Sequence, residues 1–157
     1  MTLHRILVTS LLLAAPAASV AQTTTHIEAE QASLRGLKAT VYKSPTCGCC
    51  EGYIAFLRKH GVTVEVVSDD AALYKAKEAN GVPFEAQSCH TVLLDGYVVE
   101  GHVPLAALTK LLSERPDIDG ISMPGMPSGT PGMEGPRFGP LEVVGFKDGS
   151  VSPFVSL

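Results

Sequence analysis

The chain has 157 residues, with 12 Lys+Arg against 16 Asp+Glu, 45% hydrophobic and 18% charged residues. That length suits one domain, and the composition excludes a disordered chain. A net charge of −4 with no Lys/Arg cluster offers no basic face to a phosphate backbone, which argues against nucleic acid as a partner.

In chain order, the first segment reads as an export signal. His4 and Arg5 precede an almost unbroken apolar run, Ile6–Ala15, and Ser19-Val20-Ala21 puts small residues at both recognition positions of a signal peptidase. This n/h/c pattern predicts a signal peptide over 1–21, cleaved after Ala21. The run is too short to span a bilayer comfortably. No Cys sits near the cut to carry a lipid, and no later segment is long enough for a membrane span, so a soluble product is expected. All four Cys stay with the mature chain, in an oxidising compartment.

Residues 22–36 are polar and are read as an N-terminal arm, part-helical around Ile27–Leu34. The compact domain, 37–157, is predicted to open with a strand over Leu37–Tyr42. Cys47-Gly48-Cys49-Cys50 then leads into a helix from Glu51 to His60, with Tyr53, Ile54, Phe56 and Leu57 as its apolar stripe and Gly61 as its stop. Thr63–Val67 is a strand. Ser68-Asp69-Asp70 caps a second helix, Ala71–Ala79. Thr91–Leu94 and Tyr97–Glu100 flank Asp95-Gly96, a hairpin signal, and Pro104 opens a third helix to about Glu114. Between Gly120 and Pro140 there are 6 Gly and 5 Pro, a density that predicts neither helix nor strand. Leu141–Phe146 and Ser150–Val155 then read as a terminal hairpin. The fold class is α/β: a thioredoxin-like domain with a mixed sheet, a Gly/Pro/Met-rich loop and a C-terminal hairpin.

The chemistry concentrates at Cys47, Cys49 and Cys50, three thiols in four residues at a strand-to-helix turn. Backbone N–H groups and the helix dipole favour thiolates at such a position. The C-x-x-C spacing of Cys47 and Cys50 permits a disulfide, whereas one between adjacent Cys49 and Cys50 would distort the peptide. Cys89-His90, just before the third strand, falls at the same sheet edge as the first helix's N-terminus. A redox enzyme of this layout presents a proline there for peptide binding. Here a fourth thiol and an imidazole take its place, which favours a metal. His102, after Glu100-Gly101, approaches the same rim or forms a surface turn. His60 reads as a helix C-cap.

Met123, Met126 and Met133 bring soft, neutral thioethers into the Gly/Pro loop, donors suited to Cu(I) and poor for zinc. Such residues also fill hydrophobic gaps. Four thiolates satisfy either zinc or Cu(I), and zinc prefers one tetrahedral centre. Cys47, Cys49 and Cys50 are too close in sequence to converge easily on one ion. Thiolates that bridge therefore favour a polynuclear Cu(I) cluster, with zinc as second choice.

Tyr42-Lys43-Ser44-Pro45-Thr46-Cys47-Gly48-Cys49-Cys50, Gly81-Val82-Pro83, Gln87-Ser88-Cys89-His90-Thr91, Asp95-Gly96-Tyr97, Glu100-Gly101-His102-Val103-Pro104, Glu114-Arg115-Pro116 and Met123-Pro124-Gly125-Met126-Pro127 together resemble the CopG-like family of small exported bacterial proteins. The resemblance runs from about Ala39 to the C-terminus. It implies a thioredoxin fold, a periplasmic location and a role in copper resistance. By position it also implies a thiolate-bridged copper cluster on Cys47, Cys49, Cys50 and Cys89. Family members are often encoded beside copper-efflux systems, which makes a copper exporter or chaperone the expected partner.

The expected function is therefore a periplasmic Cu(I)-binding protein with Cys47, Cys49, Cys50, Cys89, His90, His102, Met123 and Met126 as candidate ligands. Copper redox chemistry on the same thiols is compatible with that reading. The alternatives are a thiol–disulfide oxidoreductase using Cys47 and Cys50, and a domain stapled by two disulfides.

Overall fold

The computed structural model describes residues 34–157. The signal peptide and the arm as far as residue 33 lie outside the described residues. Seven strands and three helices follow in the order β1 (Lys38–Lys43), α1 (Gly48–Lys59), β2 (Thr63–Ser68), α2 (Asp70–Ala79), a 3-10 turn (Phe84–Ala86), β3 (His90–Leu94), β4 (Tyr97–Gly101), α3 (Leu105–Glu114), β5 (Gly120–Met123), β6 (Glu142–Lys147) and β7 (Ser150–Ser156).

The strands form one mixed sheet in the order β2-β1-β3-β4-β5-β6-β7. β1 pairs parallel with β2, and β4 with β5, each pair joined through a helical crossover. The other neighbours are antiparallel. Asp95 and Gly96 turn the β3–β4 hairpin with φ of 50° and 86°, as a two-residue primed turn requires. Asp69 caps α2 by accepting the Ala72 N–H at 2.7 Å, the cap the sequence predicts.

Alternation along the strands decides what faces the site. Val92 and Leu94 of β3, with Tyr97 and Val99 of β4, join the main core under α1 and α3, where Tyr53, Ile54, Leu57, Ala107, Leu108 and Leu111 are buried. The intervening residues point to the opposite face, where Val98 packs with Val82, Ala86 and Phe146. His90 thus shares the α1 face, while Thr91 and Glu100 share the face covered by α2.

Three sequence expectations need correction. Helix α1 starts at Gly48, three residues before the predicted Glu51, because the thiols carry no apolar stripe but do occupy its first turn. Gly120–Met123 is a strand, although the Gly/Pro density argued against one. The helix breakers begin only at Pro124, and Gly120 lies so close to the Val98 carbonyl that a Cβ would overlap it. The compact fold also reaches back at least to Leu34, which is fully buried in the main core. The terminal hairpin forms as predicted, with Pro153 on the edge strand β7, where a missing N–H is tolerated. Among the described residues, no helix is long and apolar enough to cross a membrane.

Candidate metal centre

Cys47 is the N-cap of α1 and makes no side-chain capping bond, so Cys49 and Cys50 occupy a first turn whose N–H groups have no intrahelical partner. Cys47 and Cys50 are joined by a disulfide, their Cα atoms 5.4 Å apart, while Cys49 and Cys89 are free and half-buried. A domain stapled by two bridges is therefore not what the structure holds. The Cys49 sulfur lies 3.6 Å from that of Cys47. Cys50 is fully buried, its sulfur 3.9 Å from the Cys89 carbonyl. All four sulfurs lie within 4.8 Å of one another, across the 39 residues that separate Cys50 from Cys89.

Cys89 belongs to a second donor group with His90 and His102, whose ligating atoms also lie within 4.8 Å of one another. Its sulfur is 3.2 Å from His90 Nδ1 and 3.2 Å from His102 Nε2. His102 is completely buried, so it is not a surface-turn histidine. Its Nδ1–H donates to the Pro131 carbonyl at 2.7 Å, which leaves the Nε2 lone pair facing the thiol. Tyr53 packs against both imidazoles, 4.7 Å from the His90 ring and 5.6 Å from the His102 ring, which are themselves 4.9 Å apart, and its hydroxyl donates to the Val103 carbonyl.

Burial sets the protonation of this group. It pushes the His90 pKa down to about 3, helped by His102 and Lys77 and opposed by the Gly101 backbone. His102 is also lowered by burial, against the pull of the Pro131 carbonyl. Both rings are neutral near pH 7, the form that ligates metals. His90 Nε2 is buried with no hydrogen-bond partner in good geometry. Burial pushes the Cys89 thiol up to about 12, and the neighbouring Cys49 adds to the rise. Cys89 therefore carries a proton that a metal must displace.

The Gly/Pro/Met loop closes over these groups. Besides the Pro131 contact to His102, Gly132 presses its backbone against α1. A Cβ there would lie 2.6 Å from Tyr53 N and 2.8 Å from the Cys49 carbonyl oxygen. A Cβ on the facing Gly52 would lie 2.7 Å from Gly132 Cα. Met123 ends β5 and is buried in the main core, a packing role, whereas Met126 is 40% exposed in a left-handed turn. On the open side, a groove of about 420 Å³ lined by Ser44, Thr46, Cys47, Tyr74, Ser88 and Cys89 reaches the thiols from solvent.

Sequence reasoning missed the polar support beneath Cys89. Glu100, fully buried on β4, accepts the Ser88 N–H at 3.0 Å and the Lys77 Nζ at 2.6 Å through Oε2, and the Thr91 hydroxyl through Oε1. Lys77 also donates to Thr91 Oγ1 at 3.0 Å. Burial pushes the Glu100 carboxyl above its ordinary value, against the pull of Lys77, Thr91 and the Ser88 N–H. The available signal was a lone acid at the end of an otherwise apolar strand, Tyr97-Val98-Val99-Glu100. Near the helix start, Lys43 at the end of β1 pairs with Glu51 at 3.0 Å. His60 is the C-cap of α1, as expected, with Nδ1 2.9 Å from the Phe56 carbonyl oxygen.

Known proteins supply an independent comparison. A family model described as a protein of unknown function, DUF411, matches residues 86–133. No curated protein matches the chain. Two solved structures do, both described as the copper resistance protein copG. Form 2 is 41% identical over 77% of this chain and 98% of that one, with a TM-score of 0.68. Form 1 is 40% identical over 77% and 97%, with a TM-score of 0.69. At that identity and coverage, the chain belongs to the CopG-like family.

Proposed function

We propose that this chain is an exported copper-resistance protein that holds Cu(I) on Cys47, Cys49, Cys50 and Cys89 as a thiolate-bridged cluster. The observation that carries the reading is the meeting of four sulfurs from two distant motifs within 4.8 Å. Soft, bridging thiolates suit Cu(I) better than the single tetrahedral centre zinc prefers. The copper resistance names of the two similar structures support the choice of metal. His90 and His102 extend the donor set with neutral nitrogens. Met123 and Met126 rank last, because one is packed in the core and the other turned to solvent.

In this reading residues 1–21 direct export to the periplasm, and the compact domain, with Leu34 already in its core, is a thioredoxin-like metal-binding domain. A copper exporter or chaperone takes the metal onward. Loading requires the Cys47–Cys50 disulfide to be reduced first, by two electrons from an external thiol or other reductant.

That same disulfide favours a second reading, a thiol–disulfide oxidoreductase with Cys47 as nucleophile and Cys50 as resolving thiol. Anaerobic Cu(I) titration of the reduced protein and of Cys89→Ser, with metal counted per chain, separates the two. More than one tightly held copper, sharply reduced in the variant, supports the cluster. No retained copper together with rapid insulin reduction supports the enzyme.

A further inference from the structure

Cys89 and His90 sit between two residues that grip one carboxylate. On one side the Ser88 backbone N–H donates to Glu100 Oε2 at 3.0 Å, and on the other the Thr91 hydroxyl donates to Glu100 Oε1. Lys77 reaches over from α2 to bond both Glu100 Oε2 and Thr91 Oγ1. Thr91 stands opposite Glu100 in the β3–β4 ladder, and this pair ends that ladder. The β1–β3 ladder ends at His90. Ser88 and Cys89 therefore lie beyond both sets of strand hydrogen bonds, and the Glu100 contact extends the anchoring past the ladder's end.

Stability alone does not call for charges here, since a well-packed apolar pair in place of a buried ion pair is often neutral or stabilising. What the ion pair adds is geometry at one place. We propose that Glu100, held by Lys77, is a positioning residue that fixes the Ser88–Cys89 backbone so that the Cys89 sulfur stays within reach of the CxCC thiols and of His102 Nε2. Its purpose rests on the copper reading, whereas its effect on Cys89 does not.

The test compares the reduced, metal-free protein with the double variant Lys77→Met/Glu100→Leu, which removes both charges and leaves apolar side chains of similar size. Alkylation by iodoacetamide is followed at each cysteine by peptide mass spectrometry, with folding checked by circular dichroism and thermal melting. Cys89 reacts about ten-fold faster in the double variant, as the loss of a hydrogen bond to a charged group implies, while Cys47 and Cys49 keep wild-type rates. Thr91→Val, which deletes one hydroxyl and keeps the ion pair and the Ser88 contact, gives a smaller increase confined to Cys89. A folded double variant in which Cys89 keeps its wild-type rate overturns the proposal. If the double variant does not fold, Thr91→Val decides, and the absence of a Cys89-selective change overturns it.

Copper counted per chain in parallel separates this role from the function proposed above. Loss of copper in the folded double variant, with the Cys89 rate raised, supports both. A wild-type protein that binds no copper while the Cys89 rates shift as stated removes the copper reading and leaves the positioning role standing.

Discussion

The Nε2 atom of His102 lies 3.2 Å from the sulfur of Cys89, while its Nδ1–H is held by the Pro131 carbonyl at 2.7 Å. The loop therefore fixes both the tautomer and the direction of a buried, neutral imidazole aimed at a thiol. A ring nitrogen whose partner nitrogen is tied to a carbonyl is the arrangement that orients a histidine ligand. The same contact joins the Gly/Pro/Met loop to the site, since Pro131 precedes the glycine that packs against α1.

His102→Ala weakens Cu(I) binding by about ten-fold or more, the scale at which orienting and ligating partners act on a metal site. Competition against a chromophoric Cu(I) chelator measures it. Unchanged affinity in a folded variant would confine His102 to a packing role.

Gly132 and Gly149 have nearly equal positive φ, 81° and 78°, but only Gly132 meets other atoms where a Cβ would stand. Gly149→Ala costs about 1 kcal/mol from backbone conformation alone. Gly132→Ala costs about 3 kcal/mol, because displacement of the loop adds to the same strain. Denaturant unfolding of both variants checks the difference, and equal losses would mean that the loop yields freely.

Lys77→Met leaves the Glu100 carboxylate buried without its cation, and should destabilise the protein by about 3–5 kcal/mol. Adding Glu100→Leu should recover most of that loss, since the apolar pair removes the uncompensated charge. The same unfolding experiment reads both values.

Cys89 gives stability a pH dependence. Its thiol is pushed up from 9.0 to about 12 in the folded, metal-free protein with Cys47 and Cys50 bridged, chiefly by burial. Between those values the unfolded chain loses a proton that the folded chain keeps, so this contribution to stability is complete below the lower value and is lost as pH rises through the window. Metal-free wild-type protein with the Cys47–Cys50 disulfide intact should therefore lose more stability than Cys89→Ser between about pH 8 and about pH 10.5. Parallel losses in the two proteins would contradict the assignment.

Much of this was legible in the sequence because its signals are local. The CxCC motif carries its own spacing, Asp95-Gly96 fixes a hairpin, and that hairpin places Cys89-His90 at the edge where α1 begins. The start of α1 leaves no such signal, because thiols contribute nothing to an amphipathic stripe. β5 was hidden by the Gly/Pro density downstream of it, although Gly120 is what lets that strand approach Val98. The Lys77–Glu100 pair joins residues 23 apart, and the Pro131–His102 bond residues 29 apart, so neither leaves a periodic trace. Such contacts arise from strand register and loop closure, which short-range patterns do not encode.

X-ray absorption at the copper edge of the reduced, Cu(I)-loaded protein tests the central claim most directly. A cluster on Cys47, Cys49, Cys50 and Cys89 gives a sulfur-dominated first shell and a copper–copper scattering shell that is lost in Cys89→Ser. A first shell of nitrogen and oxygen alone, or a spectrum unchanged by Cys89→Ser, would contradict a cluster built across the two motifs.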